Sequence, residues 1–86
     1  SDQGDLLTPI NSIVRKALLA EESVIRYGDK SHAHLRAALE LVIIFQRTKH
    51  PLIKRLLNQT YVVKLLREAE KDSILRERVR VLKPFR

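Results

Sequence analysis

The residues with chemical potential are few, and their spacing argues against most of the uses they might have. His32-Ala33-His34 is the one close histidine pair. On a helix, positions two apart point about 200° from each other, so both rings cannot hold one metal ion without unwinding the backbone. No cysteine is present to complete a ligand set. Glu21-Glu22 and Glu68/Glu70 are the nearest paired carboxylates. A catalytic pair needs one carboxyl raised in pKa by an apolar cleft, and these fall on charged helix faces. Ser, His and Asp all occur, but in no order that supplies a nucleophile, a base and an orienting acid. Gly4 and Gly28 are the only glycines, which leaves no loop able to cradle phosphates. The reading is that the chain is not an enzyme and needs no metal or other cofactor.

Basic side chains are the richer resource. Residues 1–43 hold five Lys/Arg against six Asp/Glu, whereas residues 44–86 hold twelve against four. Arg47, Lys49, His50, Lys54 and Arg55 gather near one inter-helix turn, and Arg76, Arg78, Arg80, Lys83 and Arg86 load the C-terminal end. Of these, Arg47, Lys49, Lys54, Arg55, Arg76, Arg80 and Lys83 are the candidate phosphate-binding residues. A solvated basic face is the plainer alternative. Tyr27, Phe45, Tyr61 and Phe85 are too scattered for a base-stacking platform, so any nucleic-acid contact should be non-specific.

The elements that carry these side chains read as helices throughout. Thr8 is expected to cap the first and Pro9 to open it, with Ile10, Ile13, Val14, Ala17, Leu18, Val24 and Ile25 as its apolar stripe. Gly28 should end it. Asp29 or Ser31 can cap the second, whose stretch from Leu35 to Phe45 is apolar nearly all round, which predicts a buried central helix. His50-Pro51 should end that helix, because the residue before proline is pushed out of the helical region. Pro51 then begins a third helix with Leu52, Ile53, Leu56 and Leu57. Thr60 is expected to cap a fourth with Val62, Leu65, Leu66 and Ala69, unless the two are continuous. Asp72-Ser73 signals a last helix carrying Leu75, Val79 and Leu82.

The expectation is an all-α fold, a compact bundle of four to five short helices with a buried central helix. Residues 8–86 form the single domain and residues 1–7 a flexible N-terminal segment. Leu, Ile, Val and Phe make up 30 of 86 residues, enough for a core. No apolar run exceeds the five residues from Leu41 to Phe45, so no membrane partner is expected, and the acidic, polar N-terminus does not resemble a signal peptide. Leu6, Leu7 and Leu19 have no clear place in the monomer pattern, which keeps a partner-completed or homo-oligomeric bundle open.

Ala38-Leu39-Glu40-Leu41-Val42 followed by His50-Pro51-Leu52-Ile53-Lys54-Arg55-Leu56-Leu57-Asn58-Gln59-Thr60-Tyr61-Val62 resembles the core of the TFIIS N-terminal domain family, integrase-binding domains of the LEDGF type included. Leu66-Arg67 fits the family's basic helix, and Phe85-Arg86 stands where Trp-Lys is usual. Val63 replaces a frequent glycine, and Pro84 sits inside the last turn. The resemblance covers roughly residues 35–86. It implies a nuclear, intracellular adaptor that captures short, disordered, acidic–hydrophobic motifs of transcription elongation or chromatin proteins. It also implies a binding site between two inter-helix loops, made here by Tyr27, Asp29 and Lys30 with Lys71, Asp72, Ser73 and Ile74. Asp29 would be the acidic anchor and Ile74 would line the pocket, while Lys30 and Lys71 would meet acidic flanks. Read without the family, Asp29, Asp72 and Ser73 are helix caps and Ile74 is core.

Overall fold

Helical periodicity in the sequence becomes five helices and a terminal 3-10 segment in the computed structural model, which describes residues 6–27 and 32–85, with side chains for 6–20 and 32–82. The elements are α1 (Leu7–Tyr27), α2 (Ala33–Arg47), α3 (Ile53–Leu57), α4 (Thr60–Ala69), α5 (Ser73–Val79) and the 3-10 segment Arg80–Phe85. Among the described residues there is no strand. The Cα radius of gyration is 12.6 Å, near the roughly 12 Å of a compact chain of this length. No described helix is long and apolar enough to cross a membrane.

α2 touches every other element, and the rest of the bundle is built around it. Leu35, Ala38, Leu39, Val42 and Ile43 are its buried face. They meet Leu7, Ile10, Val14 and Ala17 of α1, Leu56 of α3, Val62, Leu65, Leu66 and Ala69 of α4, Leu75 and Val79 of α5, and Leu82 in one cluster. The circumference, read as apolar nearly all round from Leu35 to Phe45, is not buried on every side. Ile44 is 53% exposed, and Ala33, Ala37 and Thr48 share its open strip. Leu41 and Phe45 are half-buried against the core.

α1 begins one residue before the expected cap. Ile10 donates the first helical bond to the Leu6 carbonyl at 3.1 Å, so Thr8 lies inside the first turn. Pro9 stands third, where a missing N–H costs nothing. Leu7, without a place in the sequence pattern, is core. Ile13, expected in the buried stripe, is 47% exposed; it lies about 100° round the helix from Val14, which faces the centre. Val24, Ile25 and the turn with Gly28, Asp29 and Ser31 lie outside the residues whose side chains are described.

Proline does not end α2. Arg47 is its last residue, and the chain leaves through Lys49 in the left-handed region at φ 54°. The His50 N–H donates to the Phe45 carbonyl at 2.9 Å and the Lys49 N–H to the Gln46 carbonyl at 3.0 Å. This is a Schellman ending, with lysine where glycine is usual. The apolar contact that accompanies such endings is the Phe45 ring against the His50 ring, centroids 4.4 Å apart. His50 Nδ1 in turn accepts the Leu52 N–H at 3.1 Å. Pro51 sits in the connecting turn, and α3 opens two residues later than expected.

α3 and α4 are separate helices. Gln59 is extended (φ −69°, ψ 137°) and precedes α4, so Thr60 is the first helical residue and not the cap. The side chains of Asn58 and Gln59 donate to the Lys54 and Arg55 carbonyls at the end of α3, and the Arg55 carbonyl also accepts the Asn58 N–H at 3.2 Å. Gln59 also accepts from Asn11 Nδ2 at 2.8 Å, tying α1 to this junction.

Asp72 caps α5 as the sequence signals. Its Oδ2 accepts the N–H groups of Ile74 (3.0 Å) and Leu75 (2.9 Å). Ser73, the other half of that signal, is exposed in the first turn. The 3-10 segment breaks at Leu82 (φ −96°, ψ 41°), whose side chain is buried.

Candidate binding surface

The α4–α5 turn meets the start of α2 at one end of the bundle. His32 directly follows the α1–α2 connection, and its Nε2 lies 3.8 Å from Asp72 Oδ1 in the α4–α5 turn. That separation is too long for a hydrogen bond, and it becomes an ion pair when the imidazole is protonated. Asp72 is thus shared: Oδ2 serves the helix and Oδ1 faces His32. Its carboxyl is held below the usual aspartate range, first by the Leu75 N–H and further by the Ile74 N–H and the charges of His32 and Arg36.

Ile74 is not core. At 73% exposure it is the most open large apolar side chain among the described residues. Its place is legible from the cap: Leu75 starts the buried series Leu75, Val79 and Leu82, and Ile74 lies about 100° away on the face of Arg78. Lys71, one turn back, is exposed and bonded to Glu68 at 2.9 Å. Asp29 and Lys30 lie outside the described residues; Tyr27 is the last residue of α1 and its side chain is not described.

The basic residues divide into two groups. Arg47, Lys49, Lys54 and Arg55 are all exposed around the α2–α3 corner. Arg76 and Arg80 lie on α5 and just after it, where Arg80 is paired with Glu77 at 3.0 Å; the side chain of Lys83 is not described. Arg78, part of the basic C-terminal set but not among the phosphate candidates, makes a two-point bond to Glu40, Nε to Oε2 and Nη2 to Oε1, each 2.8 Å. The Arg78 hydrogen bonds, aided by its charge and by Arg47 and Arg36, hold the Glu40 carboxyl below the usual glutamate range.

The two histidines have different surroundings, His34 exposed and His32 beside Asp72. Among the described residues no three of His, Cys, Asp and Glu converge as metal ligands. No family model, no curated protein and no solved structure matches the chain.

Proposed function

We propose that this domain is a protein–protein interaction scaffold of the TFIIS N-terminal type, capturing short disordered acidic–hydrophobic motifs of nuclear transcription or chromatin proteins. The observation that carries the reading is Ile74, an isoleucine left 73% exposed in the first turn of α5. It stands where the α4–α5 turn meets the residue following the α1–α2 connection. An exposed isoleucine offers an apolar anchor to a peptide side chain, and Lys71 beside it suits an acidic flank. The bundle order, with a central α2 and a short α3 before a basic α4, accords with the family pattern.

The test is a heteronuclear NMR titration with acidic–hydrophobic peptides. Shifts clustering at His32, Lys71 to Leu75 and Asp29 support the reading. Ile74→Ala removes an exposed group, so the fold survives while affinity falls about tenfold or more. Shifts confined to the arginines and lysines of 47–55, or no shifts, remove it.

A further inference from the structure

From Leu41 to Arg67 the chain contains no Asp or Glu, yet it carries Arg47, Lys49, Lys54, Arg55, Lys64 and Arg67. The carboxylates bounding this stretch, Glu40 and Glu68, are engaged by Arg78 and Lys71. Arg47, Lys49, Lys54 and Arg55 form no ion pair among the described residues, and Arg47 acts on Glu40 only at a distance. We propose that this α2–α3 corner binds the phosphodiester backbone of duplex nucleic acid, without reading its sequence.

Three features favour that occupant. The cations stand on hydrogen-bonded backbone, the Schellman ending of α2 and the capped end of α3, so little order is lost when phosphates are met. The apolar side chains of α3 point inward: Leu52 and Leu56 are buried, and Ile53 and Leu57 pack on the core. Ile44, one turn back, is too small an apolar surface to anchor in a lipid interface or to bury a peptide. A polyanion needs no such anchor, because release of its condensed counterions supplies the driving force.

The amide and hydroxyl side chains at this corner that could read bases are already engaged. Apart from Arg or Lys at guanine, readout uses free amide, carboxylate or hydroxyl side chains at base edges. Here Asn58 and Gln59 donate to the Lys54 and Arg55 carbonyls, Gln59 accepts from Asn11, and the Thr48 hydroxyl donates to the Ile44 carbonyl. Arg and Lys side chains remain, and they neutralise phosphates whatever the bases.

Fluorescence anisotropy of the 86-residue chain with two short DNA duplexes of unrelated sequence tests this. Four phosphate contacts give a slope of log K against log salt of about −3.6, a loss of about 100-fold between about 50 and 200 mM. Lys54→Gln with Arg55→Gln should halve that slope, and Arg15→Gln with Lys16→Gln on α1 should leave it unchanged. Both duplexes should bind equally. The proposal is overturned by undetectable binding at low salt, by equal losses from the two double substitutions, by discrimination between duplexes, or by tighter binding to phosphatidylserine vesicles than to duplex. None of these outcomes bears on the Ile74 surface.

Discussion

Arg78 holds Glu40 by both carboxylate oxygens, joining α5 to the central helix across 38 positions of sequence. α5 has only seven residues and two buried side chains, so a fixed point on α2 orients it and, with it, Ile74. The fork is partly open to solvent, which screens its contribution and makes it sensitive to salt.

Acid should loosen this end of the bundle first. Glu40 and Asp72 both have folded-state pKa values lowered below their ordinary ones. Groups of that sign contribute stability above the unfolded pKa, and the contribution is lost as pH falls through the folded value. The urea midpoint is therefore expected to decline as pH drops below about 4.3. Glu40→Gln and Asp72→Asn should each lower the midpoint at pH 7 and flatten that decline. A decline unchanged in both variants would falsify the assignment.

Adjacent isoleucines on α2 should behave oppositely. Ile43 is 1% exposed and Ile44 is 53% exposed. Ile43→Ala leaves a cavity among well-packed neighbours and is expected to cost about 2–5 kcal/mol. Ile44→Ala should cost about 0.5 kcal/mol or less. Urea unfolding, with the slope unchanged and only the midpoint moving, distinguishes them.

Lys49 offers a gain in stability. A side chain in the left-handed region crowds its own carbonyl, and glycine at this position relieves the cost. Against glycine's larger unfolded-state entropy, Lys49→Gly should still stabilise the domain by about 0.5 kcal/mol. The same change should reduce the salt slope of duplex binding by about 0.9. Opposite movements of fold stability and binding in one variant separate the two roles of this residue.

The chain should sediment as a single species of 10.0 kDa. Leu6 and Ile13 lie on one flank of α1 and Leu19 on the other, with exposed Ser12 and Lys16 between them. No continuous apolar stripe of the kind that drives helix pairing results. A dimer at high concentration, abolished by Ile13→Lys, would show that one flank suffices.

Much of the bundle can be read from periodicity, because buried positions repeat at helical spacing. Val62, Leu65, Leu66 and Ala69 are all buried, as are Leu75, Val79 and Leu82. Central placement of α2 also follows from its apolar run. Helix ends are harder, since they depend on backbone conformations that composition only biases. Pro51 is a strong stop signal, yet lysine three residues after Gln46 turns the chain earlier. Thr60 looks like a cap, yet Gln59 takes that position without a side-chain bond to the helix. At the candidate site, Ile74 sits beside a legible cap, but its exposure depends on which of two adjacent apolar residues faces the core. The approach of His32 to Asp72 spans 40 positions and no local pattern announces it.

α3 has five residues, with Leu56 its one fully buried side chain. So short a helix is not self-supporting, and its amides depend on contacts with α2 and α4. Its amide protons should therefore be among the first in the bundle to exchange with deuterium, ahead of those of α2 and α4. If phosphates dock on Lys54 and Arg55, exchange in this short helix should slow when duplex is bound.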